Sequence, residues 1–247
     1  MSETRTLSAT KPRTRKSPLL PALLAVLAAA VLVIGFVGLP GDEDDASAQD
    51  AQSGASASQE IPADDPLMQL PRRDPDDPRA LGDVDAPVVM VNYSEFQCPF
   101  CGKFARDTAP TLIEKYVADG TLRIEWRDFP YLGQESMTAA LAGAAAAEQG
   151  KFWEFHDALF DQQLPPNSGN LDQEYVETKA AEVGLDVAAF RAAMDATVAE
   201  RRVALDFREG QTIGVSGTPA FVINGVPVMG AQPTEVFEEV IEQAAAQ

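Results

Sequence analysis

Two cysteines, Cys98 and Cys101, are the residues best suited to chemistry in this chain of 247 residues. With a spacing of i and i+3, both thiols lie on one face if the segment begins a helix. The unpaired N–H groups and the positive dipole end of a helix N-terminus favour a thiolate over a thiol. Pro99, which lacks an N–H, suits the first turn. We therefore predict that the more exposed Cys98 exchanges with substrate and that the deeper Cys101 is the resolving or leaving thiol.

Other uses of a cysteine pair fit less well. Haem attachment requires His after the second Cys, but position 102 is Gly. With two Cys and one His, the chain cannot supply four Cys/His ligands to zinc, and a site using His156 would need carboxylates from distant parts of the chain. A purely structural disulfide remains an alternative, although so short a loop constrains the unfolded chain little. Dithiol–disulfide exchange needs no metal or bound cofactor.

The elements around the pair predict an α/β domain. A buried strand at 87–93 precedes the cysteines, and a helical stretch kinked by Pro110 follows them. The other predicted elements are a strand at 122–126, helices at 137–149, 151–162, 173–183 and 187–207, strands at 220–223 and 226–229, and a final helix at 235–246. Asn224-Gly225 between the last two strands is a strong hairpin signal.

The N-terminal part of the sequence has a different character. Residues 1–18 form a basic tail, and residues 19–39 are an uncharged apolar run long enough to cross a bilayer once. The positive-inside rule then places the tail in the cytoplasm and the remainder of the chain outside. Ala46-Ser47-Ala48 keeps open the alternative of a cleaved signal peptide.

Acidic residues dominate the segment that follows. Residues 40–80 have few large apolar side chains, so we predict a disordered acidic linker before a domain at 81–247. The net charge of −19 repels phosphate backbones and argues against nucleic-acid binding.

Three separated segments resemble one known family. They are Tyr93 to Cys101 (YSEFQCPFC), Lys151 to Phe160 (KFWEFHDALF) and Val215 to Phe221 (VSGTPAF). Together they resemble the DsbA-like branch of the thioredoxin superfamily, in its membrane-anchored actinobacterial form. The resemblance implies a thioredoxin fold with a helical insert at about 134–208. It also implies that Thr218 and Pro219 form a cis-proline loop that faces Cys98 and positions substrate.

Several positions near the cysteines shape the expected chemistry. Many DsbA proteins have His where this chain has Phe100, which with Pro99 is expected to tune the redox potential toward milder oxidation. Thr218, the residue before the proline of the loop, resembles that of the isomerase-like and reductase-like members, so the resemblance leaves the direction of electron flow open. Glu95 is either a buried proton relay or a solvated acid at the strand end. His156 lies on the apolar stripe of its helix and is expected to be a hydrogen-bonded core residue.

The sequence thus predicts a membrane-tethered, extracytoplasmic thiol:disulfide oxidoreductase that introduces disulfides into exported proteins. The family resemblance implies reoxidation by a quinone-coupled membrane partner. The alternatives are a reductase or isomerase of the same fold, and a redox-silent substrate-binding or chaperone module.

Overall fold

The computed structural model describes Pro62 and residues 64–247. A five-stranded sheet in the order β1-β3-β2-β4-β5 forms its centre. The strands are β1 (Ala80–Leu81), β2 (Val88–Ser94), β3 (Leu122–Asp128), β4 (Ala220–Ile223) and β5 (Val226–Met229). β2 and β3 are parallel, and the other neighbouring strands are antiparallel. The predicted strands and the Asn224-Gly225 hairpin are confirmed.

Strand β2 is the most enclosed element of the sheet. All seven of its residues are buried, as a β-branched apolar run between two neighbouring strands favours. Val88 and Met90 pack on one face with a helical layer, whereas Val89 and Val91 pack on the opposite face. This burial fixes the point at which the chain leaves the sheet toward the cysteines.

The helical stretch after β2 is irregular. It comprises α1 (Pro99–Lys103), a π turn (Phe104–Thr108), α2 (Ala109–Leu112) and a second π turn (Ile113–Val117). The backbone N–H of Ala109 bonds to the carbonyl of Phe104. Because Pro110 has no N–H to continue a regular ladder, the predicted disturbance takes the form of a π turn just before it.

A helical subdomain is inserted between β3 and β4. Its helices are α3 (Gln134–Ala147), α4 (Phe152–Asp161), α5 (Gln173–Glu182), α6 (Val187–Met194) and α7 (Thr197–Thr212), and α8 (Thr234–Ala245) closes the chain. The insert therefore continues past the predicted end at 208. The single helix predicted at 187–207 is wrong, because extended Ala196 separates α6 from α7. This break lets Phe190 pack in the insert core while α7 turns toward β3.

The disordered linker predicted for residues 40–80 is wrong for the part that the structure describes. A short 3-10 helix forms at Pro66–Gln69, Leu70 is buried against the sheet, and Arg79 is fully buried. The prediction weighed only apolar burial, whereas this segment is held mainly by charge pairing. Residues 40–61 of the predicted linker, the basic tail 1–18 and the predicted span 19–39 lie outside the described residues.

Glu125 in β3 anchors this N-terminal segment. Its carboxylate accepts hydrogen bonds from the backbone N–H groups of Arg72 and Arg73, both at 2.9 Å. It also pairs with Arg123 at 3.1 Å and with Arg127 at 2.8 Å. Burial raises the pKa of Glu125, but the Arg72 N–H and the Arg127 guanidinium outweigh burial and lower it to about 2.

A second buried cluster ties the same segment to the insert. Arg79 donates to Asp128 at 2.8 Å and to Asp206 of α7 at 2.9 Å.

Within the described residues, no helix is long and apolar enough to cross a membrane.

We predict that Glu125→Gln lowers the free energy of unfolding by roughly 2–4 kcal/mol at neutral pH, because it leaves buried arginines without their charge partner. Since folding lowers the pKa of Glu125, its contribution is full above the ordinary value of 4.5 and is lost as the pH falls toward about 2. Urea unfolding followed by circular dichroism across this range measures the effect.

The matched control is Asp107→Asn, which removes an exposed ion pair with Lys103. Its expected effect is within about 0.5 kcal/mol and shows no such pH dependence. If the variant at Glu125 loses stability on acidification as steeply as the wild type, the assignment of this pH dependence to Glu125 is wrong.

Candidate active site

The cysteine pair lies where β2 passes into α1. Cys98 is the N-cap residue of α1 in an extended conformation, and Pro99 is in the first turn, as predicted. The backbone N–H of Gly102 donates to the carbonyl of Cys98 at 3.1 Å. This bond closes the first turn of α1, so Cys98 lies at the positive end of the helix.

Several donors surround the Cys98 sulfur. The hydrogen bond from the Cys101 thiol lowers the pKa of Cys98 most; burial opposes it, and the backbone N–H groups of Phe100 and Cys101 add to the lowering. The balance places the pKa of Cys98 at about 6, below its ordinary value of 9.0. Cys98 therefore ionises more readily than an ordinary thiol once the pair is reduced.

Cys101 has the opposite character. Burial raises its pKa well above 9.0, and the neighbouring Cys98 raises it further. The two thiols are unbridged in this structure. Exposure does not separate them as predicted, because Cys98 is 3% exposed and Cys101 is 1% exposed. The difference between the sulfurs comes from the deeper burial of Cys101 together with the direction of their hydrogen bonds.

The loop before β4 lies against Cys98. The Thr218–Pro219 peptide is cis, and the Thr218 carbonyl accepts a hydrogen bond from the Cys98 thiol at 3.2 Å. The Pro219 carbonyl accepts the N–H of Gly230 at 2.9 Å, which joins the loop to the end of β5. The structure thus brings Thr218 to Cys98, and the role of the loop in positioning substrate stays a prediction.

Glu95 is buried beside the pair, which overturns the alternative of a solvated acid. It is 2% exposed, and the Ser136 hydroxyl donates to one carboxylate oxygen. The other oxygen, Oε1, has no hydrogen-bond partner among the described residues. Burial raises the pKa of Glu95 to about 7, against the lowering effect of the Ser136 hydrogen bond. A carboxyl group with this pKa can both give and take a proton at neutral pH.

The insert contributes residues that the sequence analysis missed. Gln163 donates to the carbonyls of Phe96 and Cys98, both at 2.9 Å. Gln97 donates to the Ser136 hydroxyl at 2.8 Å and accepts the backbone N–H of Asn167 at 2.7 Å. No sequence signal marks these residues, because their roles depend on how the insert folds back onto the cysteine loop.

The remaining predicted residues differ in their exposure. Phe100 is 63% exposed, and with exposed Tyr131 and Met229 it offers apolar surface to solvent. His156 is buried, packs edge-on against Phe160, and its Nδ1 lies 2.8 Å from Asp157, so the expected core role is confirmed. In the part of the chain that is described, no three His, Cys, Asp or Glu side chains are grouped to hold a metal ion.

Comparison with known proteins identifies a matching family and a longer relative. The family model described as thioredoxin matches residues 74–243. The chain is 34% identical over 175 residues to Na(+)/H(+) antiporter NhaA 3 of Salinispora tropica, covering 70% of this chain but 26% of that protein. The chain therefore spans about a quarter of that relative's length.

Two further similarities concern proteins of smaller size. The chain is 29% identical over 153 residues to the probable disulfide bond formation protein D of Bacillus cereus, covering 60% of this chain and 70% of that protein. The crystal structure of alpha-DsbA1 from Wolbachia pipientis superimposes with a TM-score of 0.62 at 25% identity, over 68% of this chain and 90% of that one.

We predict that Cys101→Ala raises the Cys98 pKa by about one unit or more, because it removes a hydrogen bond to a charged group. Cys101→Ser is the matched control, since its hydroxyl keeps a donor at the same position. Thiolate absorbance in the ultraviolet, titrated against pH, measures both. Equal pKa values in the two variants would show that the Cys101 donor does not set the Cys98 pKa.

Proposed function

Because this chain belongs to the thioredoxin family and resembles its DsbA-like branch, we propose that it is a thiol:disulfide oxidoreductase that introduces disulfides into exported proteins through Cys98 and Cys101. One observation carries the proposal: two unbridged thiols lie at the start of α1, with the cis Thr218–Pro219 loop against Cys98. This setting lowers the pKa of Cys98 and raises that of Cys101. Stabilising the Cys98 thiolate stabilises the reduced pair, which makes the disulfide a stronger oxidant.

The exchange begins with the oxidised pair. A substrate thiolate attacks the Cys98 sulfur, forms a mixed disulfide and displaces Cys101, which takes up a proton because its pKa is high. A second substrate thiolate then attacks the substrate sulfur of the mixed disulfide, and Cys98 leaves as a stable thiolate. The substrate loses two electrons and gains a disulfide, and the pair is left as a dithiol.

Two groups around the pair support these steps. Glu95 has a pKa of about 7. We propose that it gives a proton to Cys101 when that sulfur leaves the disulfide and takes the proton back when the disulfide forms again. The Thr218 carbonyl, which accepts the Cys98 thiol, is the group that we propose to position the backbone of a bound substrate. We also assign redox tuning to Pro99 and exposed Phe100.

The proposal also covers where the enzyme acts and which partner reoxidises it. The uncharged run at 19–39 would tether the domain outside the cytoplasm, where exported proteins acquire disulfides. After exchange, the reduced Cys98–Cys101 pair would pass its two electrons to a quinone-coupled membrane partner. A reductase or isomerase would use the same two sulfurs, so the reduction potential decides between these directions.

Equilibration of the full chain with glutathione measures that potential. For an oxidase we expect a value more positive than about −180 mV, whereas a value near −270 mV would indicate a reductase. Oxidised protein should also convert a reduced, unfolded two-cysteine protein to its disulfide form. Cys101→Ala should trap that protein on Cys98 as a mixed disulfide.

The double variant lacking both cysteines is the control for binding without exchange. If it retains the same substrate as firmly as the Cys101→Ala variant does, the chain is a binding module and the proposal fails. A potential near that of a reductase would overturn the direction of electron flow while leaving the exchange chemistry in place.

Glu95 generates a further prediction. Glu95→Gln should remove a step near pH 7 from the pH profile of exchange and slow the step that protonates Cys101 by about tenfold or more. Ser136→Ala should keep the step but move it to higher pH, because the Ser136 hydroxyl lowers the Glu95 pKa. Stopped-flow tryptophan fluorescence follows both. A step that persists unchanged in Glu95→Gln would exclude Glu95 as the proton relay.

A further inference from the structure

Gln97, the residue immediately before Cys98, is buried and has both ends of its side-chain amide engaged. It is 1% exposed. Its Nε2 donates to the Ser136 hydroxyl at 2.8 Å, and its Oε1 accepts the backbone N–H of Asn167 at 2.7 Å. A backbone N–H can only donate, so the amide oxygen must face Asn167 and the NH2 group must face Ser136. The loop between α4 and α5 therefore fixes the orientation of the Gln97 amide.

The fixed amide determines the direction of the next hydrogen bond. The Ser136 oxygen accepts from Gln97, and the one O–H group of Ser136 donates to Glu95. Ser136 is itself buried at the start of α3. A hydroxyl that accepts a hydrogen bond becomes a stronger donor, because in a low-dielectric interior each bond of a chain polarises the next. Gln97 therefore acts on Glu95 through Ser136.

The two oxygens of Glu95 are thereby made unequal. Ser136 donates to Oε2, whereas Oε1 has no hydrogen-bond partner among the described residues. When the carboxylate takes up a proton, one oxygen becomes a hydroxyl and the other a carbonyl, and the carbonyl is the better acceptor. The Ser136 hydrogen bond is therefore kept at full strength only if Oε2 is the carbonyl oxygen and the proton is on Oε1.

Several groups act on the charge of Glu95. Burial raises its pKa and Cys98 raises it further, while hydrogen bonds from Ser136 and from the Gln97 backbone N–H lower it. Tyr131, in the loop before α3, is a further titratable side chain that interacts electrostatically with Glu95. Among these effects, the bond from Ser136 is the one that the side chain of Gln97 strengthens.

We propose that Gln97 is a positioning residue for proton transfer at Glu95: it directs the Ser136 hydroxyl to Oε2 and leaves Oε1 to carry the transferable proton. This role rests on the proposed function, in which Glu95 is the proton relay of the redox pair. The insert takes part through the Asn167 N–H, which holds the amide of Gln97 in the required orientation. Gln97 itself neither gives nor takes a proton.

Infrared spectroscopy of the reduced full chain reads the state of Glu95 without any exchange reaction. The C=O stretch of a protonated carboxyl group moves to lower frequency when its carbonyl oxygen accepts a hydrogen bond. The band that grows in on acidification with a midpoint at about pH 7, and that is missing in Glu95→Gln, belongs to Glu95. We expect the wild-type band at the lower frequency of a hydrogen-bonded carbonyl.

Ser136→Ala tests where the proton lies. If the proton is on Oε1, the variant removes the hydrogen bond to the carbonyl oxygen, so the band should move to higher frequency and the Glu95 pKa should rise. If the proton is on Oε2 instead, the carbonyl oxygen is the unpartnered one in both proteins, and the frequency should stay the same. This comparison needs no change at Gln97.

Gln97→Met tests the positioning role, because it keeps the length of the side chain and the backbone N–H but removes the amide. The weaker Ser136 bond should raise the Glu95 pKa by about half a unit, roughly a threefold change in proton affinity, and move the band part of the way toward its position in Ser136→Ala. Added to Ser136→Ala, the same change should have no further effect, since Gln97 acts through Ser136.

Gln149→Met is the matched control. Gln149 also holds a backbone segment with both ends of its amide, because it donates to the Asp186 carbonyl at 3.1 Å and accepts the Asp186 N–H at 2.9 Å. It follows α3 at the end opposite to Ser136. This variant should keep the wild-type band and the wild-type pKa of Glu95. Circular dichroism checks that each variant is folded.

The inference is overturned if Ser136→Ala leaves the band in place, if a folded Gln97→Met keeps the wild-type band and pKa, or if its effect is undiminished when Ser136 is already replaced. If the infrared changes appear as expected while Glu95→Gln leaves the pH profile of exchange unaltered, Glu95 is not the relay of the proposed function, and the orientation of Ser136 by Gln97 still stands.

Discussion

The hydrogen bonds directed at the Cys98 sulfur are the interaction on which the rest of this structure depends. Cys98 lies at the N-cap of α1, where the positive end of the helix and the thiol of nearby Cys101 both favour the Cys98 thiolate. Neither contact exists unless β2 is held rigidly, because β2 delivers the chain to the first turn of α1. Burial of β2 on both faces supplies that rigidity. The sheet therefore contributes to sulfur chemistry although Ser94 is the last strand residue before the cysteine loop.

Two buried glutamates show how partners decide the behaviour of one residue type. Glu125 is surrounded by arginines and backbone N–H groups, which lower its pKa to about 2 and keep it charged. Glu95 has no charged partner of this kind, and burial outweighs the Ser136 hydrogen bond and raises its pKa to about 7. The first is suited to hold the N-terminal segment against β3, and the second to transfer protons beside Cys98. Burial opposes the ionisation of both glutamates. Charged partners outweigh burial at Glu125, which stays ionised and stabilises the fold, whereas burial prevails at Glu95 and gives it a pKa suited to the proposed proton transfer.

The helical insert is part of the active site as well as an addition to the thioredoxin fold. Ser136 at the start of α3 holds Glu95, and Gln163 after α4 fixes the carbonyls of the cysteine loop. The same insert packs Phe152 and Phe160 into the apolar core that contains both cysteines. One subdomain therefore holds the cysteine loop both by hydrogen bonds and by apolar packing.

The sequence by itself determined the local features: the strand before the cysteines, the helix start at Cys98, the Asn224-Gly225 hairpin and the family, because these follow from short-range patterns. It did not determine that residues 64–80 are ordered, because the partners of Arg72 and Arg79 are on β3 and α7, far along the chain. Nor did it decide between a solvated and a buried Glu95, or reveal Ser136 and Gln163. Burial and hydrogen-bond direction arise only when distant segments meet, and these two quantities set the pKa values of the site.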